Sequence, residues 1–148
     1  MAIDLSELLV IGVSTRALFN LEDENKVFEE EGIEAFRKYQ LQNEDELLQP
    51  GTAFHLVKNL LALNIIAKNK IVEVVVMSRN SPETGMRVLN TIDQYDLDIT
   101  RVAFTGGEPL FPYIDAYGID LFLSKDQKDV QSVIDSKECA AALIYPPP

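Results

Sequence analysis

The chain has 148 residues, 47% hydrophobic and 25% charged, proportions that belong to an ordinary globular protein and exclude a disordered or collagen-like one. That length suits a single domain, residues 1–148, able to bury a substantial core. Thirteen basic residues against 24 acidic give a net charge of −11, which argues against nucleic acid as a partner.

Targeting and cysteine chemistry are equally restricted. No apolar run approaches the ~20 residues that cross a bilayer, so no membrane partner is expected. The segment Met1 to Glu7 carries two acids and no basic stretch, unlike a signal peptide. The single cysteine, Cys139, and single histidine, His55, exclude a disulfide framework, a four-cysteine metal site and a histidine-rich zinc site. Cys139 reads as a small buried hydrophobe and His55 as a satisfied or exposed side chain. The expected location is the cytoplasm.

In chain order, Leu8–Val13 is the first apolar, β-branched run and predicts a strand. The stretch from Leu18 to Thr52 is too long for a strand-to-helix loop. It holds two helical segments, Glu24–Glu31 and Ile33–Gln40, separated at Gly32, and is expected to form a small cap-like insertion at about residues 20–50 over the carboxyl edge of a sheet. Ten acids and three bases fall between Glu22 and Glu46, a local net of −7; this block reads as a solvated helical face.

Phe54, Val57, Leu60 and Leu61 then form a helical stripe after Pro50-Gly51-Thr52. Ile71–Met77 is a strand covered on both faces, apolar from Val72 apart from Glu73. Gly85, Val88, Leu89, Ile92 and Tyr95 follow helical spacing, with Ser81 expected as N-cap and Pro82 at the first helical position. Strands at Arg101–Phe104, Ile119–Leu123 and Ala141–Tyr145 come next. Ser124-Lys125-Asp126-Gln127 has capping-box spacing ahead of Val130, Val133 and Ile134. Pro146–Pro148 reads as a stiff domain edge. Strands alternating with helices predict an α/β fold: a doubly wound, Rossmann-like parallel sheet of about five strands.

In such sheets ligands sit beyond the carboxyl ends of the strands. Four segments fall there: Ser14-Thr15-Arg16, Ser78-Arg79-Asn80-Ser81, Thr105-Gly106-Gly107 and Ser124-Lys125. They offer hydroxyls, an amide, glycines and three cations, and none is a carboxylate. Such a set suits an anion held by charge-assisted hydrogen bonds. A second reading stays open: Ser81 and Ser124 as helix caps, Gly106-Gly107 as a turn, and Arg16, Arg79 and Lys125 as ion-pair partners of the acidic insertion. Thr105-Gly106-Gly107 lacks the spacing of a dinucleotide fingerprint or a P-loop, and one histidine supports no Ser/His/Asp arrangement.

Several motifs, in order, resemble the cytosolic 5′-nucleotidase family of the haloacid-dehalogenase-like superfamily. They are Ser14-Thr15-Arg16-Ala17-Leu18-Phe19, Tyr39-Gln40-Leu41, Pro50-Gly51-Thr52-Ala53-Phe54 with Val57-Lys58, Met77-Ser78-Arg79-Asn80, Tyr95-Asp96-Leu97, Thr105-Gly106-Gly107 and Leu121-Phe122-Leu123-Ser124. The likeness runs from about Leu8 to Tyr145 and is to the N-terminal half of longer family members, which lacks their Asp-x-Asp motif.

The resemblance implies Mg²⁺-dependent hydrolysis of nucleoside 5′-monophosphates, with an aspartate nucleophile, an aspartate acid/base two residues on, and further acids holding the metal. This chain departs from that pattern. The nucleophile position falls on Ser14, the acid/base position on Arg16, and the later acids on Leu123 and Ser124. Arg16 cannot act as an acid/base, since a guanidinium stays protonated. Cations in place of carboxylates repel Mg²⁺ and attract phosphate.

Three functions stand as expectations. The first is a domain that binds phosphate or a nucleoside 5′-monophosphate through Ser14, Thr15, Arg16, Ser78, Arg79, Asn80, Thr105, Gly106, Gly107 and Lys125, without hydrolysis and without a cofactor. The second is an active Mg²⁺-dependent 5′-nucleotidase completed by Asp115, Asp120, Asp126 or another chain. The third is a structural or oligomerisation module, either a homo-oligomer or the companion of a catalytic partner domain.

Overall fold

A computed structural model describes residues 6–81 and 85–145. Pro82, Pro146–Pro148 and the start of the chain, named above, lie outside the described residues. Seven strands and seven helices are present among those described. Five of the strands, β1 (Leu9–Ser14), β4 (Val72–Ser78), β5 (Arg101–Phe104), β6 (Leu121–Ser124) and β7 (Ala140–Leu143), form one sheet in the order β5-β4-β1-β6-β7. Every neighbouring pair runs parallel. The α/β, Rossmann-like class and the strand count agree with the sequence reading. Individual strands shift by one to two residues, and the last ends at Leu143 instead of Tyr145.

Period-two alternation explains why both faces are covered. Ile11, Val13, Val74 and Val76 pack on one face with Phe54, Val57 and Leu61 of α4 (Phe54–Ala67) and Val88 and Ile92 of α5 (Met86–Gln94). Val10, Val75, Met77 and Phe122 pack on the other with Ile114 of α6 (Tyr113–Ala116) and Val130 and Val133 of α7 (Gln127–Ser136). All seven residues of β4 are buried, Glu73 included, with the Lys70 ammonium against its carboxylate. Helices on both faces make the sheet doubly wound. The chain walks outward from β1 through β4 to β5, then returns to the far side of β1 for β6. That reversal puts the topological switch point, where such folds open a crevice, between β1 and β6.

After β1 comes a single turn, α1 (Thr15–Leu18), capped by the Ser14 hydroxyl, which accepts the Ala17 N–H at 3.3 Å. The insertion comes next as α2 (Glu22–Glu31) and α3 (Ile33–Gln42). The helices break at Gly32, whose φ of +91° disfavours any residue with a side chain. The two feet of the insertion are tied together by a short antiparallel pair, β2 (Phe19–Asn20) with β3 (Gln49–Pro50), an element absent from the sequence reading because two residues carry no periodicity.

One capping expectation needs correction. The N-cap of α7 is Asp126, whose carboxylate accepts the Asp129 N–H at 3.0 Å. Ser124 instead ends β6, its hydroxyl accepting the Asp126 N–H at 3.0 Å. The Ser81 carbonyl accepts the Gly85 N–H at 2.9 Å, and the expected cap and first turn at Ser81-Pro82 run into residues outside those described.

Gly51 locks the end of the insertion to its beginning. Its N–H donates to the Leu18 carbonyl at 2.8 Å, and a Cβ there would stand 2.7 Å from the Ala17 carbonyl oxygen. Backbone cannot yield as a flexible side chain would. Gly51→Ala is therefore expected to lower unfolding free energy by about 1–3 kcal/mol, the usual cost of overpacking, seen as an earlier midpoint in urea denaturation with an unchanged slope.

Candidate functional site

The carboxyl ends of the sheet open into a cleft of about 490 Å³ beneath the insertion. Its floor is built by the strand ends: Ser14, Thr15 and Arg16 after β1, Ser78, Arg79, Asn80 and Ser81 after β4, Gly106 and Gly107 after β5, and Ser124 after β6. Eight of the ten residues put forward from the sequence line it. Thr105 and Lys125 stand outside the lining. The Thr105 hydroxyl donates to the Glu108 carbonyl at 2.7 Å, and the Lys125 ammonium donates to Glu22 at 2.7 Å.

Three adjacent strands, β4, β1 and β6, end in serine, and each hydroxyl oxygen does the same thing. Ser14 accepts from the Ala17 N–H, Ser78 from the Asn80 N–H at 3.1 Å, and Ser124 from the Asp126 N–H. The Thr15 hydroxyl adds a 3.4 Å contact to Ser78. A serine oxygen that accepts in this way keeps its own proton to donate, so the three bonds fix hydroxyl positions without consuming their donors. Gly106 and Gly107 turn with φ of +64° and +98°; their N–H groups are already taken by the Asn80 and Arg79 carbonyls. They shape the floor and offer no free backbone donor.

The cations are more encumbered than their sequence positions suggest. Arg79 pairs with Asp129 of α7, a partner outside the insertion. Lys125 and Arg16 share the Glu22 carboxylate at the start of α2, at 2.7 and 3.9 Å. Arg16 Nε is buried with no acceptor among the described residues. The strand-end segments hold no carboxylate, yet Glu24, Glu34, Asp126 and Asp129 line the cleft beside them. Asp129 is invisible as a site residue in sequence, because only the turn between β6 and α7 brings it to Arg79.

The opposite wall comes from the insertion: Leu21, Phe28, Ile33 and Phe36. Phe28 and Phe36 meet edge to face, ring centres 5.9 Å apart. The acidic block is thus more than a solvated face. Asp23, Glu29, Glu30 and Glu31 are exposed as expected, but Glu24 is only 5% exposed. It receives the Arg87 guanidinium of α5 at 2.5 Å, and that group also donates to Gln40 Oε1 at 3.2 Å and the Glu46 carbonyl at 2.9 Å. Thr91, Asn90 and Tyr95, also from α5 or its end, bond the backbone of Leu48, Glu44 and Leu48 in turn.

Of the acids considered as substitutes for missing catalytic ones, only Asp126 lines the cleft, and its carboxylate caps α7. Asp120 bonds the Val10 N–H at the amino end of the sheet, and Asp115 lies exposed on α6. His55 is exposed, edge-on to Phe54. Cys139 is half-buried, its thiol pushed up by burial and by Asp120 and Glu138. The donor set does not fit Mg²⁺, which needs free carboxylate or other oxygen ligands. Glu24 and Asp129 are each neutralised by an arginine, a guanidinium projects into the cleft, and among the described residues no group of three or more His, Cys, Asp or Glu is placed to hold a metal ion.

A family model described as 5′-nucleotidase matches residues 1–148. The chain belongs to the 5′-nucleotidase family. It is 34% identical to human cytosolic 5′-nucleotidase 1B over 91% of its own length and 23% of that protein's, so it spans about a quarter of this curated relative. No solved structure matches it. Among the described residues no helix is long and apolar enough to cross a membrane.

The ion pairs lead to two expected outcomes. Removing one partner of a buried pair strands the other charge, so Glu24→Ala should cost about 3–5 kcal/mol in chemical denaturation, and the double change Glu24→Leu with Arg87→Met should recover most of it. The hydrogen bond from Lys125, aided by its charge and that of Arg16, holds the Glu22 carboxyl below its ordinary value despite partial burial. A lowered folded-state value means stabilisation that is present above the ordinary carboxylate range and lost as pH falls through the folded value. Melting temperature should therefore fall less steeply below that range in Glu22→Gln than in the parent.

Proposed function

We propose that this chain is a 5′-nucleotidase-family domain that binds inorganic phosphate or a nucleoside 5′-monophosphate at the carboxyl ends of β1, β4 and β6 and does not hydrolyse it. The observation that carries the reading is the set of three serine hydroxyls with donors to spare beside Arg16, whose Nε is buried without an acceptor. Orphaned donors of this kind call for a bound acceptor, and phosphate oxygens accept from hydroxyls and guanidinium alike. The apolar wall of Leu21, Phe28, Ile33 and Phe36 gives the cleft an unlike second side, suited to the nucleoside end of such a ligand, and its volume exceeds what a free phosphate needs.

The absence of hydrolysis follows from chemistry at the same atoms. The Ser14 oxygen is engaged as a helix cap, and Arg16, at the acid/base position, is permanently charged and cannot take its proton. Binding in this site requires no metal.

Calorimetric titration with phosphate and AMP, with and without Mg²⁺, tests the proposal. Saturable heat indifferent to Mg²⁺ is expected. Arg16→Ala should weaken phosphate by ~1.5–3 kcal/mol, the range for charged hydrogen bonds. Sustained Mg²⁺-dependent heat would mean turnover and an active nucleotidase; silence with both ligands would leave a structural module.

A further inference from the structure

The cations at the strand ends, Arg16 and Arg79 in the cleft and Lys125 just outside it, are paired with carboxylates of the same chain, and one of these carboxylates comes from the insertion. Glu22, the first residue of α2, puts one carboxylate oxygen 2.7 Å from Lys125 Nζ, after β6, and 3.9 Å from an Arg16 Nη, after β1. These two cations flank the switch point. Glu22 is therefore an anion supplied in cis at the edge of the cleft, touching it through Arg16, which lines it, while Glu22 and Lys125 stand outside the lining. Its grip on Arg16 is loose: 3.9 Å is beyond hydrogen-bond distance, and Arg16 still holds a buried Nε with no acceptor. The grip on Lys125 is a full hydrogen bond.

We infer that Glu22 is a built-in competitor of the ligand, holding Arg16 and Lys125 in the unliganded state and giving up Arg16 when a phosphate arrives. The inference rests on the phosphate-binding reading above and adds to it how affinity is set. Arg16 is the shared group: its side chain both lines the cleft and faces Glu22. An oxyanion drawn to the Arg16 guanidinium brings negative charge close to the Glu22 carboxylate, and like charges at that range oppose one another. The two anions cannot both be well placed, so binding weakens the Glu22 contact and loosens the first turn of α2. Removing the carboxylate removes the opposition.

The geometry also predicts a direction that a purely structural salt bridge would not. If Glu22 served only to hold the insertion over the sheet, its loss would loosen the cleft and weaken binding. If it competes, its loss strengthens binding. Glu22→Gln keeps the side chain's size and removes its charge, and an exposed first-turn position tolerates the change.

The experiment titrates inorganic phosphate into the parent chain and into Glu22→Gln at low and moderate salt, and follows amide hydrogen exchange in α2 as phosphate is added to the parent. Competition predicts roughly ten-fold tighter phosphate binding by Glu22→Gln at low salt, a gap that narrows as salt screens the exposed charge. It also predicts faster exchange at the Asn25 amide, which donates to the Leu21 carbonyl in the first turn, in the phosphate-bound parent. Equal or weaker binding by the variant overturns the inference while leaving phosphate binding in place. Slower exchange at Asn25 on binding overturns it likewise. Failure of both proteins to bind phosphate defeats the functional reading itself, and the competition with it.

Discussion

The buried pair between Glu24 and Arg87 is the constraint on which the rest of the cleft depends. Both side chains are about one-twentieth exposed, and the same guanidinium also holds Gln40 and the Glu46 carbonyl. One residue of α5 thus gathers α2, α3 and the return segment of the insertion. With the bonds from Thr91, Asn90 and Tyr95, that clasp fixes the apolar wall of Phe28, Ile33 and Phe36 relative to the strand ends. A buried ion pair is a poor source of net stability, because desolvation offsets most of its Coulomb gain. Its value here is positional: the Arg87 guanidinium ties α2, α3 and the return segment to one point on α5.

The floor obeys a second rule, set by topology. Parallel strands deliver their carboxyl ends to one edge, and helices begin immediately beyond. Each central strand turns sharply where it ends, and each turn leaves a backbone N–H that must be satisfied. Serine does this at β1, β4 and β6 alike. A carboxylate could accept the same N–H, but it has no proton to give. The choice of hydroxyl over carboxylate therefore decides whether the strand edge gathers cations or anions, and the structural task and the chemical one are carried by the same three atoms.

How much of this could be read from the sequence depends on range. The five strands declared themselves through short β-branched runs, and the two insertion helices through their length and the glycine between them. The strand-end residues on the floor of the cleft were legible too, because a doubly wound sheet fixes which loops converge, whereas the wall from the insertion was not. Nor were the partnerships. Glu24 and Arg87 are 63 positions apart, and nothing in the spacing of an acidic block marks one glutamate as the buried one. Arg87 sits beside Val88 in an amphipathic stripe, where a long cation reads as solvent-facing. Ser124 and Asp126 compete for the same cap two residues apart, and only the end of β6 decides between them. The motif residues Gln40, Gly51 and Ala53, which carried the family resemblance, turn out to lie at the joint between insertion and sheet: Gln40 on Arg87, Gly51 and Ala53 on the α1 backbone.

If a chain of net charge −11 binds an anion, as proposed, it must resolve a conflict between its overall field and its local chemistry. Bare cations at a crevice would be costly to dehydrate and would attract any passing anion. Here each cation at the strand ends has a carboxylate near it: Asp129 for Arg79, Glu22 for Lys125 and Arg16. The unliganded crevice is accordingly close to neutral, and on the proposed reading a phosphate enters by exchange, replacing an internal carboxylate at one guanidinium. Exchange makes affinity depend on how well the internal anion is held. It is firmly held at Asp129, which is 5% exposed and fixed in the first turn of α7. At Glu22, an exposed residue opening α2, the hold on Lys125 is a full hydrogen bond and only the hold on Arg16 is loose. The acidic insertion and the cationic floor are then parts of one electrostatic device, in which the insertion supplies the wall against which a ligand packs and the charge it must displace.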